Sequence, residues 1–172
     1  MTNKVLLFLT LILVVSCISE NPNRSSEKIM ESQTLRKAKT VLNDSGLIHR
    51  KIYVPIYSDI YQRSRAESTL LTATLSIRNT SEYDSIFVSR VDYFNTQGQK
   101  VKEYLNSPIY LTPMETIDYV IEERDTIGGS GANFILEWHG KPHLSPIFQA
   151  VMIGGLGNKL FSFTTEGKTV PE

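Results

Sequence analysis

Hydrophobic and polar residues alternate along much of the chain after Gly46. Leu71–Arg78 is the clearest stretch, because every second residue is apolar and the residues between them are threonine, serine or arginine. A period of two is typical of a β-strand with one buried face. Residues 52–57 show the same period, but Pro55 lies among them and cannot donate a hydrogen bond to a neighbouring strand. We therefore expect that strand to lie at a sheet edge or to carry a bulge.

Further strand-like segments follow, separated by turn residues. Ile86–Phe94 is apolar on both faces, which predicts a central strand, and Asn95–Gly98 supplies the turn to its hairpin partner. The other predicted strands are Val101–Leu105, Ile117–Ile121, Asn133–Trp138, Phe148–Ile153 and Leu160–Thr164. About eight short strands at regular spacing predict an all-β fold, a single immunoglobulin-like or jelly-roll-like β-sandwich over residues 47–172, with a distorted barrel as the alternative.

The first 16 residues have a different pattern, with Lys4 followed by an apolar run from Val5 to Val15 and then Ser16 before Cys17. This pattern resembles the lipobox of bacterial lipoproteins, in which cleavage leaves an acylated cysteine at the new N-terminus. The run is shorter than the roughly 20 residues of a transmembrane helix. A cleaved secretory signal would leave Cys17 as a free thiol. Lipidation explains both the position of Cys17 and its being the only cysteine, so residues 1–16 are predicted to be a lipoprotein signal peptide.

Residues 17–46 are polar and are predicted to form a lipid-anchored tether. As a flexible chain, about 30 residues have a root-mean-square span near 30 Å, enough to hold a domain clear of a lipid surface. Residues 26–42 carry apolar residues at loosely helical spacing. A short helix docked on the domain and a partly ordered linker both remain open.

The charge balance excludes several kinds of partner. The chain has 18 basic and 18 acidic residues, and removing residues 1–16 takes away one lysine and no acid. Because there is no basic excess, we expect no nucleic-acid partner and no polybasic contact with lipid. Membrane attachment would then depend on the acyl chains, and a single cysteine excludes an internal disulfide. Ile18 differs from the aspartate associated with inner-membrane retention in enteric bacteria, which favours the outer membrane where there are two.

Several segments resemble, in matching order, a family of uncharacterised bacterial proteins, the DUF3124 family. They are Tyr53–Ser58, Leu75–Thr80, Leu111–Met114, Gly128–Phe134 with Glu137 and Trp138, Ala150–Gly154, and Ser162 with Phe163. The resemblance spans nearly all of the chain after the tether. It implies one all-β secreted domain and no particular activity, because the family is named for lacking a known function.

The run Gly128, Gly129, Ser130, Gly131 is the first candidate site. Successive glycines allow backbone N–H groups to converge on an anion. A phosphate loop would need a lysine and a following helix, and a hydrolase elbow would need glycine two positions after Ser130, where Ala132 stands. The structural alternative is a tight connection with positive φ. We favour that alternative for the glycines and a ligand contact for Asn133, whose amide can donate and accept.

The segment around Trp138 is the second candidate. Glu137 and His139 would face one side of a strand and Trp138 the other. A metal site could be assembled from Glu137, His139, His143 and His49, but the interval between His139 and His143 crosses glycine and proline. We therefore predict no metal site, a solvated loop position for His143, and a core or half-buried position for Trp138.

Tyr53, Tyr57 and Tyr61 recur every four residues and form the third candidate, a face for a ligand or a partner protein. Ordinary β-sheet surface is an equal alternative, because tyrosine is common there.

These observations predict a membrane-anchored extracytoplasmic lipoprotein that is not an enzyme and needs no cofactor. The chain offers no thiol nucleophile beyond Cys17, no convincing serine–histidine–acid order and no strong metal spacing. The predicted activity is binding of a small molecule or a partner protein, through the loop end at 128–133 with Trp138 in support. The alternative is a structural or assembly lipoprotein of the cell envelope that contacts another protein through an edge strand such as the one at Tyr53.

Overall fold

A computed structural model describes residues 46–171 and shows eleven β-strands. They are β1 (Ile48–Pro55), β2 (Asp59–Tyr61), β3 (Ser68–Arg78), β4 (Ile86–Phe94), β5 (Lys100–Glu103), β6 (Ile109–Leu111), β7 (Thr116–Ile121), β8 (Asn133–Gly140), β9 (Ile147–Leu156), β10 (Lys159–Glu166) and β11 (Lys168–Val170). The strands form two antiparallel sheets that pack face to face, so the predicted all-β sandwich is confirmed.

The order of strands differs from their order in the chain. The first sheet runs β11-β1-β8-β4-β5, with β6 also paired to β4, and the second runs β10-β9-β3-β2, with β7 also paired to β3. β8 lies at the centre of the first sheet, where Trp138 stands opposite Arg50 of β1 on one side and Val88 of β4 on the other. This pairing brings residues far apart in sequence onto the same face.

The core fills the space between the sheets. Burial alternates along β8, where every second residue from Phe134 to Gly140 is buried. β3 and β9 supply the opposing layer with Leu75, Ile77 and Met152, none of which is measurably exposed. Each such aliphatic side chain contributes about 2 kcal/mol when fully buried, and the period-two pattern in the sequence follows directly from this layer.

All eight predicted strands are present, with ends shifted by a few residues. Three strands were not predicted, namely β2, β6 and β11, and each has only three residues. Three residues give at most one and a half periods of alternation, so they carry no sequence signal apart from the surrounding turns.

The prediction that the strand with Pro55 is an edge strand or carries a bulge is wrong. β1 pairs with β8 along its whole length without a register shift, and β11 covers its other side at Lys51–Tyr53. Pro55 is tolerated because Ile56 N–H, one residue on, donates to Ala132 O of the β8 side at 3.0 Å. The ring nitrogen of Pro55 therefore faces the opposite side, beyond the end of β11, where no ladder hydrogen bond is needed.

Cys17, the predicted tether and its possible helix at 26–42 lie outside the described residues. Within residues 46–171, no helix is long and apolar enough to cross a membrane.

Candidate functional site

The glycine loop 128–131 is held by hydrogen bonds to two other loops. Gly129 N–H donates to Ser58 Oγ at 2.7 Å, and Gly131 N–H donates to Thr96 Oγ1 at 2.9 Å. Thr96 N–H donates in turn to Gly128 O at 2.8 Å. The N–H groups of Gly129 and Gly131 are therefore already occupied, which favours a structural connection over an anion-binding nest.

Two of the loop glycines are required by space or by backbone conformation. A Cβ at Gly128 would lie 1.8 Å from Tyr93 Oη, and Gly129 has a φ of +78°. Gly131 has ordinary φ and meets only the Thr96 side chain at 3.1 Å. Ser58 and Thr96, which bind the loop, were missed from the sequence because they belong to distant turns.

Ser130 and Asn133 remain candidates for contact with a ligand. Both are half-buried, and within residues 46–171 neither side chain makes a hydrogen bond. Asn133 opens β8 between Pro55 and Phe94 in the two neighbouring strands. Trp138 lies five residues further along β8, which is about 17 Å at the usual rise per residue. The structure therefore does not bring the loop and Trp138 together as one site.

Glu137, His139 and His49 do converge on the outer face of the first sheet. The rings of His49 and His139 stack with their centroids 4.7 Å apart, and His49 Nε2 lies 3.4 Å from Glu137 Oε2. Glu137 Oε1 accepts a hydrogen bond from Arg90 Nη1 at 2.9 Å. Among residues 46–171, no group of three histidine, cysteine or acidic side chains is arranged to hold a metal ion. The guanidinium of Arg90 neutralises the carboxylate that a metal would need.

A β-bulge in β4 supplies the other half of this polar network. The register with β8 shifts between Val88 and Arg90. Ser89 and Arg90 consequently both reach the outer face, where Ser89 Oγ lies 3.0 Å from His139 Nε2 and Arg90 Nε donates to Asp92 Oδ2 at 2.7 Å. The sequence carries a trace of this bulge, because the apolar residues Val88 and Val91 are three positions apart, which breaks a period of two.

The network shifts two pKa values downward. Burial, followed by the neighbouring His49, lowers the pKa of His139, although Glu137 opposes this. Burial opposes ionisation of Glu137, but the hydrogen bond and charge of Arg90 outweigh it and its pKa is lowered. Both groups are therefore held in their ordinary neutral-pH forms, which indicates a structural polar network.

The three tyrosines occupy three different environments. Tyr53 lies in β1 opposite Lys168 of β11. Tyr57 packs edge-on against Phe163 at 5.7 Å, and Tyr61 at the end of β2 is 53% exposed. β11 pairs with β1 on the side away from β8, so β1 is not an edge strand. Tyr53 therefore does not provide the predicted edge for a partner protein.

A groove opens between the two sheets at the other end of β8, and we call it the Trp138 groove. Its volume is about 580 Å³, within the range of small-molecule sites. Its apolar lining includes Ile48, Ile52, Leu144, Phe148 and the indole of Trp138. Trp138 is only 4% exposed, and its buried Nε1 makes no hydrogen bond within residues 46–171.

The loop between β8 and β9 forms one wall of the groove. Asp84 fixes this loop by accepting from Lys141 Nζ at 2.6 Å and lying 3.2 Å from His143 Nε2. Thr80 Oγ1 donates to Ser145 O at 2.9 Å. His143 is an exposed loop residue, as predicted from the sequence, and it helps to anchor the wall.

The family model for a protein of unknown function, DUF3124, matches residues 49–170, and the chain belongs to this family. No curated protein matches the chain. Among solved structures, the crystal structure of Thermotoga maritima 1070 is similar with a TM-score of 0.40 and 16% identity, over 69% of this chain and 92% of that chain.

Proposed function

We propose that this protein is a non-enzymatic, lipid-anchored extracytoplasmic module that binds a small organic molecule in the Trp138 groove. One observation carries the proposal. A groove of about 580 Å³ between the two sheets joins an apolar wall, which includes Trp138 and Phe148, to the guanidinium groups of Arg50 and Arg78. Concave, partly apolar pockets with a few polar groups are the usual sites for small molecules.

Native mass spectrometry of the full protein, purified from its own membrane, tests the binding proposal. Thr169→Phe places an aromatic ring on the groove lining from an exposed position of β11. Thr164→Phe makes the same change at an exposed position of β10 that does not line the groove. We expect the parent and Thr164→Phe to retain a small molecule and Thr169→Phe to lose it. Equal retention in all three proteins would contradict a site in the groove.

Cys17 carries the anchoring part of the proposal. Cys17→Ala should remain an unprocessed precursor or leave the membrane fraction, because signal cleavage and acylation both depend on the cysteine. Labelled fatty acid incorporated by Cys17→Ala as in the parent would exclude the lipoprotein assignment. Ser16→Ala keeps a small residue before the cleaved bond and serves as the control, with normal labelling expected.

A partner protein of the cell envelope is a second candidate, favoured by β10 rather than by Tyr53. β10 ends the second sheet and pairs only with β9 among the described strands. Leu160 on this strand is 83% exposed. An edge strand of eight residues can add a strand from another chain. Crosslinking from position 160 in the native membrane would capture such a partner, whereas a small-molecule module would give only monomer.

A further inference from the structure

We infer that the ligand of the Trp138 groove is a compact apolar molecule that carries a single carboxylate. This inference rests on the proposed function and names the chemical class that the site would accept.

The ionisable lining residues of the groove are Arg50, Arg78 and Glu166. Two guanidinium groups and one carboxylate leave one net positive charge. Arg50 Nη1 donates to His49 O at 2.8 Å, and the Arg78 guanidinium has no ion-pair partner within residues 46–171. A single negative charge on a ligand would balance this lining. A doubly charged phosphate would exceed it and would face the carboxylate of Glu166.

The two cationic groups of the groove are guanidinium groups. A guanidinium can only donate hydrogen bonds. Arginine and carboxylate groups match in planar, two-point geometry, which makes carboxylate the acceptor that fits these donors best. Arg50 shares the inward-facing side of β1 with Ile48 and Ile52 and stands directly opposite Trp138. Arg50 and Trp138 are therefore adjacent residues on neighbouring strands, and both line the groove.

The apolar part of the groove specifies the rest of the ligand. Phe148 lies against Trp138 with ring centroids 6.3 Å apart, and Leu144 is buried beside them. Aromatic and aliphatic surfaces of this kind bind a ring or a branched chain through burial of apolar area. The volume of about 580 Å³ limits the size of the bound molecule, which favours a compact body over a long acyl chain.

Three probes with the same apolar body test this class, namely hydrocinnamate, hydrocinnamamide and phenylpropylamine. They carry a negative charge, no charge and a positive charge. The chain has one tryptophan, so its single indole N–H resonance in nitrogen–proton correlation spectra of the full protein reports on the groove directly. We expect hydrocinnamate to shift this resonance and to bind at least tenfold more tightly than the amide, with the amine weakest.

Matched arginine variants separate the charge from the fold. Arg78→Gln removes a groove cation at the exposed end of β3, and Arg65→Gln removes an exposed arginine between β2 and β3. We expect hydrocinnamate to bind Arg78→Gln about tenfold more weakly, the scale of one charge-assisted hydrogen bond. Binding to Arg65→Gln and binding of the amide to either variant should be unchanged.

The outcomes distinguish this inference from the proposed function. If the amide or the amine binds as tightly as hydrocinnamate, and Thr169→Phe abolishes that binding, the groove is a binding site and the carboxylate class is wrong. If none of the three probes shifts the indole resonance, the carboxylate class is contradicted, and ligand retention by the parent and Thr169→Phe in native mass spectrometry decides the proposed function separately. If Arg78→Gln and Arg65→Gln weaken hydrocinnamate equally, the attraction is a general effect of protein charge and the assigned role of Arg78 is wrong.

Discussion

The two ends of β8 use polar groups in opposite ways. At the Asn133 end, the glycine loop is closed by hydrogen bonds to Ser58 and Thr96. At the Gly140 end, the sheets leave a groove that is lined by Trp138, Arg50 and Arg78. A glycine-rich sequence looks like a binding loop, but the N–H groups of Gly129 and Gly131 are occupied within the fold. A tryptophan looks like core, but it also lines a groove. The space left between the sheets distinguishes a structural connection from a binding surface better than residue type does.

Gly128→Ala should have the largest effect on this comparison. The added Cβ would meet the buried Tyr93 side chain at 1.8 Å, so the loop or the core must move. We expect a loss of about 3 kcal/mol in the free energy of unfolding, the upper range for overpacking. Urea unfolding measures it. Gly98→Ala is the control, because its site has a φ of +76° and open space, and it should lose only about 1 kcal/mol. If Gly128→Ala and Gly98→Ala lose the same free energy of unfolding, the close contact between Gly128 and Tyr93 does not contribute to the stability of the loop.

Ser58→Ala should have the next largest effect. Ser58 is 1% exposed, and its Oγ accepts the Gly129 N–H. Removing the hydroxyl leaves a part-buried donor without a partner, and we expect a loss of about 2 kcal/mol by urea unfolding. Ser130→Ala removes a hydroxyl that makes no hydrogen bond in the described part of the chain and should change stability by less than about 0.5 kcal/mol. A larger loss for Ser130→Ala than for Ser58→Ala would overturn the assignment of the loop hydrogen bonds.

The pH dependence of stability tests the polar network between the two ends. The pKa of His139 is lowered in the folded state, so the unfolded chain binds more protons just below the ordinary value of 6.5. Its contribution is present above that pH and is lost as the pH falls through the folded pKa. The lowered pKa of Glu137 adds a second loss below its ordinary value of 4.5. Chemical unfolding across pH should show both losses. His139→Gln should remove only the loss of stability that begins below pH 6.5. If that loss is unchanged in the variant, His139 is not its cause.

The sequence predicted the framework of the sandwich because burial there depends on alternation alone. The alternation in Leu71–Arg78 and in Asn133–Trp138 became β3 and β8. The apolar phase of β4 changes at Ser89, but a strand that is apolar on both faces does not predict a bulge there. The pairing of His49 with His139 depends on the register of β1 against β8, which single-strand patterns do not specify.

The candidate site was predicted only in part, for a related reason. Trp138 was placed correctly as a largely buried residue, but it was grouped with the glycine loop at the other end of its strand. Extending the alternation of residues 52–56 upstream would have put Ile48 and Arg50 on the inner face. The pairing of β1 with β8, which single-strand patterns do not specify, is what places Ile48 opposite Gly140 and Arg50 opposite Trp138. Contacts made by Ser58 and Thr96 likewise join loops that are distant in the chain.

The central claim is that the Gly140 end of β8 holds the ligand, so that the remaining candidates at the other end, Ser130 and Asn133, are not needed for its retention. Ligand retention after purification from the native membrane, measured by native mass spectrometry in two variants, tests this claim most directly. One variant combines Ser130→Ala with Asn133→Ala at the glycine loop, and the other is Thr169→Phe in the groove. The account predicts that the loop variant keeps its small molecule and the groove variant loses it, while both unfold like the parent. Loss from the loop variant with retention by Thr169→Phe would contradict it.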